Sequence, residues 1–368
     1  MRILILGGTS FLGPHVVRQL AGHGHDVTIF HRGNTETNLP GNVRHVHGDF
    51  ANFPDHLDEL RRISPEVVLD MVPFREEDAE RVRAFKGVAR RVVLVSSGDV
   101  YRAFGRLWRT EPGPPDPMPL TEDSPLREKL STAGLEYNKT AVERAVMGDN
   151  ELPATILRLP ATHGPGDDKH RLFSYLKRMD EGRAAIVLDQ AYAGWHWARG
   201  YVEDVAFAIA LAVMDERASG RTYNVCYPVS LTEAEWVKEI ARVIGWKGEV
   251  VALRSEQLPA SLRRDVFDFS QQYSVDSSRI RKELNYSEPL PFDEALQRTI
   301  EWERANPPAK IDPEAFNYAD EDATLAAFNV RTEGAVATGS FREHSLPESI
   351  LNDGYENDCS KTPGPCRR

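Results

Sequence analysis

With 368 residues, 41% of them apolar and 27% charged, the chain has the make-up of an ordinary globular protein, long enough for one large domain or two smaller ones. Its formal net charge of -11 argues against a nucleic-acid partner, because phosphate binding draws on a basic surface. No apolar run approaches the about 18 residues of a membrane span, and the three cysteines, Cys226, Cys359 and Cys366, suggest neither a disulfide framework nor a close-spaced metal pair.

Arg2-Ile3-Leu4-Ile5-Leu6 is apolar without alternation, as expected of a parallel strand buried on both faces. The chain begins directly on this strand, so no leader peptide is expected and the cytoplasm is the default location. Gly7-Gly8-Thr9-Ser10-Phe11-Leu12-Gly13 follows at once, then Val16, Val17 and Leu20 at helical spacing up to Gly22, then a second strand, Asp26 to Phe30. Strand, glycine-rich turn, helix and strand within about 30 residues is the context in which such a turn binds a dinucleotide. Gly7 and Gly8 let the backbone approach a pyrophosphate, which the amides of the following helix then face, and Gly13 lets that helix pack closely. Thr9, Ser10, Phe11 and Leu12 complete the expected cofactor-binding turn.

The second strand ends Phe30-His31-Arg32-Gly33. NAD sites usually place a carboxylate there for the ribose 2′-hydroxyl. A carboxylate would repel a 2′-phosphate, whereas Arg32 can pair with one, so NADP is preferred to NAD.

Val43 to His47 reads as a short alternating strand ending in Gly48-Asp49-Phe50, and Asp49 and Phe50 are placed to hold an adenine. His45 and His47 point to one face. With no further ligand nearby in sequence, the pair is read as strand decoration and not as a metal site. A helix is expected from Leu57 to Ile63, a strand over Val67 to Val72, a charged helix from Glu76 to Val88, and a strand from Arg91 to Ser97. Strands alternating with helices predict a Rossmann-type doubly wound α/β fold with a parallel sheet, whose ligands lie beyond the carboxyl ends of the strands. Met71, Val72, Ser96 and Ser97 therefore converge with the glycine turn.

Thr110 to Pro125 is a proline-rich loop of the kind that forms lids or binding segments. A helix from Leu130 to Met147 contains Tyr137, Lys139 and Glu143. A sixth strand, Ala154 to Leu159, runs into Pro160 and His163. Beyond it are expected a helix at Arg171 to Met179, a strand around Ile186 to Leu188, the aromatic segment Trp195-His196-Trp197 with Arg199, a helix from Asp204 to Met214, a strand at Tyr223 to Val225, and helices at Thr232 to Ile244 and Phe292 to Glu303. The division this suggests is a nucleotide-binding domain over 1–165, with sheet elements added from later residues, a smaller substrate lobe over 166–305, and an acidic tail over 306–368. That tail is expected to hold one short helix near Asp320 to Phe328 and to be disordered after about Gly334.

Together, the glycine turn, Gly48-Asp49, the stretch Val95-Ser96-Ser97-Gly98-Asp99-Val100-Tyr101, Lys139 with Glu143, and Arg158 to Gly166 resemble the extended short-chain dehydrogenase/reductases, the group of NAD-dependent epimerases and dehydratases acting on nucleotide sugars. The likeness runs over roughly residues 1–300. It implies a cofactor domain, a smaller substrate lobe, a frequent homodimer, and a chemistry in which a tyrosine exchanges a proton with the substrate hydroxyl. In that chemistry a lysine one helical turn later lowers the tyrosine pKa, and a serine or threonine hydrogen-bonds the substrate. Ser97 matches the serine and Lys139 the lysine. The tyrosine is out of frame: Leu135 occupies the position four before Lys139. On a helix Tyr137 would lie roughly 200° around from Lys139. Ser10 replaces the middle glycine of the turn, and the family's substrate-phosphate arginine falls at Trp197, with Arg199 two residues on. The likeness is therefore to the atypical branch of extended members, which includes chloroplast stem-loop RNA-binding proteins.

Two functions follow. One is an NAD(P)-dependent epimerase, dehydratase or reductase acting on a nucleotide sugar or a similar hydroxyl- or carbonyl-bearing metabolite, with Ser97 and Lys139 at its centre and His163 as a substitute proton donor. The other is a binding protein that keeps the cofactor site as a sensor or scaffold, or that contacts RNA.

Overall fold

The structure is a computed structural model that describes residues 1–35, 38–129 and 137–336, with side chains as far as Phe328. Its strands are β1 (Arg2–Leu6), β2 (Asp26–His31), β3 (Arg44–His47), β4 (Val67–Asp70), β5 (Arg91–Ser97), β6 (Ala154–Leu159), β7 (Ala161–His163), β8 (Ala185–Asp189), β9 (Arg199–Tyr201), β10 (Thr222–Asn224) and β11 (Glu249–Leu253). Among the described residues, seven of them form one parallel sheet in the order β10-β6-β5-β4-β1-β2-β3. The central strands β4, β5 and β6 are buried at every position, which is why they read as continuous apolar runs, while the edge strand β3 exposes three of its four residues.

One face of the sheet packs Ile3, Ile5, Ile29, Val93 and Val95 against the helices Leu12–Gly22 and Val202–Met214. The other packs Leu4, Leu6, Phe30, Val68 and Leu94 against the helices Phe53–Arg62, Asp78–Arg83 and Lys139–Val146. A separate cluster built on Leu176, Ile186, Trp236, Ile240 and Ile300 forms the core around β8 and β11. The doubly wound parallel sheet expected from the strand–helix alternation is thus present.

Several boundaries differ from the sequence reading. Helix Val202–Met214 and β10 were expected in the smaller lobe, yet both complete the nucleotide-binding half: β10 pairs with β6, and the helix packs on Leu12–Gly22. A small-residue helix such as this (VEDVAFAIALAVM) is buried almost all round, so it has no polar face to betray its neighbour. The helix expected over Glu76 to Val88 is confined to Asp78–Arg83. The helix expected at Leu57 begins at Phe53, just after a short 3₁₀ turn that the Asp49 carboxylate caps by accepting from the Ala51 amide (2.9 Å). Arg102–Leu107 and Ser278–Leu284 are additional helices. The expected helix near Asp320 is Tyr318–Val336, held by ion pairing of Glu321 with Arg178 (2.6 Å) and by Leu325 and Phe328 against β8 and β11. The expected disordered tail lies, from residue 337, outside the described residues. Among the described residues no helix is long and apolar enough to cross a membrane.

Candidate active site

The carboxyl ends of β1, β2, β4, β5 and β6 surround the glycine turn. Gly7 and Gly8 have φ of 93° and 98°, which side chains rarely adopt. A Cβ on Gly13 would lie 2.4 Å from the Gly8 carbonyl carbon, so helix Leu12–Gly22 can approach the turn only without a side chain there. A Cβ on Gly7 would touch Met71 and Val72 at 3.4 Å, which places the end of β4 against the turn. Thr9 is buried and its hydroxyl lies 2.7 Å from that of Thr35, while Ser10 is exposed. Phe11 and Leu12 are half-buried beside Tyr201 and Val202. This cradle, shaped by residues that tolerate no side chain, fits a dinucleotide pyrophosphate.

Arg32 is exposed at the end of β2. Asp49 is exposed and spends one oxygen on its cap, and Phe50 stacks edge-on against Phe30 (5.2 Å) and carries the Arg81 guanidinium 4.8 Å above its ring. Pro160 is buried between β6 and β7. Each of these residues lies just past the carboxyl end of a strand, whereas the Ser96 side chain is turned toward the helix Lys139–Val146. Its hydroxyl donates to Glu143 Oε1 (2.5 Å), because alternate residues of a strand face opposite sides.

Ser97, the next residue, is buried, and its Oγ accepts from the Asp99 amide (3.3 Å). Lys139 donates from Nζ to the Val95 carbonyl (2.9 Å). Burial pushes its pKa down to about 8, although Asp99, Asp70 and Glu143 pull in the opposite direction. Tyr137 is the point at which helical reasoning misleads. The helix begins at Lys139, with Asn138 as N-cap accepting from the Ala141 amide (3.3 Å), so Tyr137 precedes the helix and no 100° step separates it from the lysine. Its ring centroid lies 5.8 Å from Lys139 Nζ and 5.9 Å from the Phe74 ring. Leu135 and the first part of the expected helix lie outside the described residues.

Asp99 is the residue that the sequence reading passed over. It is 3% exposed, and burial raises its pKa against the opposing pull of Arg127, a hydrogen bond from Tyr137, and Lys139. Its signal was its place two residues after Ser97, but sequence alone does not show that its carboxyl faces Tyr137. Ser97, Asp99, Tyr137 and Lys139 thus form one buried group of a hydroxyl, a carboxyl, a phenol and an amine. Such a group can hold and pass a proton at the mouth of the cofactor cradle.

Three other expectations are corrected. His163 is no proton donor for this site. It is 1% exposed within a ring of Tyr201, Tyr227 and Trp236, with Nδ1 donating to Thr299 Oγ1 (3.0 Å) and Nε2 facing the Tyr227 hydroxyl (3.3 Å). Burial, with Arg199 and Arg171 nearby, drives its pKa down to about 3, so the ring stays neutral. Arg199 offers no free charge to a substrate, because its guanidinium is buried, ion-paired with Glu233 and laid over Trp197 and Trp236 at 5.2 and 4.7 Å. Trp197 is half-buried and packs on Trp195 (5.5 Å).

Arg109 and Arg254 are exposed instead: with Arg264, whose guanidinium is largely buried, and the carboxylates of Asp189, Glu256, Asp265 and Asp268, they line a cleft of about 770 Å³ beyond the carboxyl end of β8, beside Phe267 and Phe269. An aromatic cluster of Tyr101, Trp195, Phe267, Phe269 and Tyr273 joins this cleft to the turn after β5, where the Tyr273 hydroxyl donates to the Gly98 carbonyl.

A profile of the NAD dependent epimerase/dehydratase family matches residues 3–226. The chain is 27% identical to 2'-dehydrokanamycin reductase of Streptomyces kanamyceticus over 264 residues, 70% of either chain. It is 24% identical to dTDP-glucose 4,6-dehydratase of Streptomyces niveus over 338 residues, 83% of this chain and 94% of the relative. In fold it resembles the Bordetella bronchiseptica enzyme WbmG, solved in complex with NAD and UDP (TM-score 0.60, 18% identity, covering 83% of this chain and 95% of that one).

Proposed function

The chain belongs to the NAD dependent epimerase/dehydratase family, and from that premise we propose that it is a nicotinamide-dinucleotide-dependent enzyme acting on a hydroxyl-bearing or keto carbon of a nucleotide sugar. The observation that carries this reading is the position of Tyr137. Standing ahead of the helix rather than within it, Tyr137 shares the buried site with Lys139, Asp99 and Ser97 despite its spacing. The bound dinucleotide supplies the hydride acceptor or donor. Ser97 hydrogen-bonds the substrate oxygen, and the Tyr137 hydroxyl gives or takes the proton of that oxygen. The Lys139 ammonium steadies the phenolate so formed. Asp99 is a positioning residue, holding the phenol through its carboxyl. Two of the relatives named above, a dTDP-glucose 4,6-dehydratase and a 2'-dehydrokanamycin reductase, support this reading.

The cleft that Arg109 and Arg254 share with Asp189, Glu256, Asp265 and Asp268 is assigned to the substrate's diphosphate, with those two exposed guanidiniums as its partners, since the Trp197 and Arg199 region offers no exposed guanidinium. Arg32 favours NADP over NAD. Arg32→Ala is expected to weaken NADP binding by about 10–100-fold, the equivalent of the ~1.5–3 kcal/mol carried by hydrogen bonds to charged groups, while NAD binding is unchanged. Calorimetric titration with each cofactor measures the difference, and equal losses for the two would remove the 2′-phosphate assignment.

The reading as a whole is tested by offering dTDP- and UDP-hexoses and a sugar ketone to the protein with either cofactor while following nicotinamide absorbance and product. Turnover that falls steeply in Tyr137→Phe and Ser97→Ala is expected. Turnover indifferent to both changes would dismiss the assignment of the proton machinery. Cofactor binding with no turnover on any of these substrates would favour a sensor or scaffold.

A further inference from the structure

The free edge of the main sheet carries a cluster that the proton machinery does not use. His45 and His47 of β3 point to one face, two residues apart. The parallel register pairs Ile29 with His45 and His31 with His47, so His31, the last residue of β2, is brought to the same face. One ring nitrogen from each of the three lies within 4.8 Å of the others. His31 Nε2 is 3.0 Å from His45 Nδ1, and the ring of His31 lies 5.1 Å from that of His45 and 4.7 Å from that of His47. His31 is 3% exposed and fixed, whereas His45 and His47 are open to solvent.

We propose that His31, His45 and His47 form a binding site for one first-row transition-metal ion, Zn²⁺ in the first instance. The donor set is wholly imidazole, which suits Zn²⁺, Co²⁺, Ni²⁺ or Cu²⁺ and disfavours Ca²⁺ and Mg²⁺, which require oxygen ligands. Three protein nitrogens with a solvent-facing side match the open type of zinc site, in which water takes the remaining position. The proton balance is simple. The Gly33 amide donates to His31 Nδ1 (3.2 Å), so the neutral ring carries its hydrogen on Nε2 and donates it to His45. An ion bound to Nε2 takes the place of that bridging hydrogen. The hydrogen passes to Nδ1, and the Gly33 amide gives up its long contact. The ion then clamps the edge strand to the turn that follows β2.

The test is to titrate the untagged, chelator-stripped full chain with Zn²⁺ by calorimetry and with Co²⁺ by visible absorption, beside His45→Ala, His47→Ala and a control, His25→Ala, which alters an imidazole near the amino terminus. His45 and His47 are exposed on an edge strand, so their truncation leaves the core intact, which a thermal melt verifies. Expected are one ion per chain, Co²⁺ bands of a site with fewer than six ligands, and an affinity at least about tenfold lower in each β3 variant, the least that losing even an outer-sphere partner costs a metal site, with the control unchanged. No ion bound at micromolar protein, or binding that is the same in the β3 variants as in the unaltered chain, would overturn the proposal.

Discussion

Replacing Lys139 with methionine is expected to lower turnover by about 10²–10⁴-fold, the range a positioned proton-transfer group supplies, and to change how stability depends on pH. The amine is 5% exposed, and burial brings its pKa from 10.5 to about 8. Between those two values the unfolded chain holds one proton more than the folded chain at this position. The contribution of this group to stability therefore rises as pH climbs from about 8 towards 10.5, and the full cost of burying the ammonium is present below about pH 8. Catalysis runs the other way. On the proposed mechanism the ammonium that supports the Tyr137 phenolate is lost above about pH 8, so kcat/KM is expected to fall on the alkaline side. Denaturant titrations at several pH values, with pH–rate profiles, measure both effects. In Lys139→Met the relative gain in stability between pH 8 and 10 disappears, as does the alkaline limb. A limb that survives the substitution would belong to another group.

Glu143→Ala is expected to cost about 3–5 kcal/mol, the penalty for removing one partner of a buried ion pair. Glu143 accepts from Ser96 (2.5 Å) and pairs with Arg158 (2.7 Å), both partners of the pair being almost wholly buried. Arg158 in turn donates to the Tyr101 hydroxyl (3.0 Å) and the Glu122 carbonyl (2.8 Å), and Tyr101 donates to Asn224 (2.5 Å). The network ties β5, β6 and β10 to helix Lys139–Val146. Truncating the carboxylate leaves a buried guanidinium without a counter-charge, its remaining partners being the neutral Tyr101 hydroxyl and Glu122 carbonyl, whereas the paired change Glu143→Met with Arg158→Met removes both charges and is expected to be far milder. Chemical denaturation of the two variants beside the unaltered chain decides. Equal losses in the single and double variants would show that packing, and not the uncompensated charge, sets the cost.

The order of elements and the glycine turn were legible because each rests on local rules, apolar runs and glycines where φ is positive, whereas the i, i+4 spacing of Lys139 and Glu143 did not make them a pair: Lys139 bonds the Val95 carbonyl and Glu143 pairs with Arg158. Tyr137 was misjudged for a physical reason. Its helical angle was reckoned on a helix that Asn138 caps one residue later, so a periodicity was applied outside the element that owns it. His163 and Arg199 were misassigned because motif position says nothing of what lies opposite; Thr299, Tyr227 and Glu233, each distant in sequence, occupy their polar atoms.

The sequence by itself determined the parallel sheet, its glycine turn, and the residue types available to the crevice, since short-range backbone and burial preferences encode them. Only the tertiary structure decided which of those residues meet. Strand register brought His31 to His45 and His47, and the chain's path before Lys139 brought Tyr137 to Asp99, because a contact across the fold depends on the packing of elements that no local pattern records.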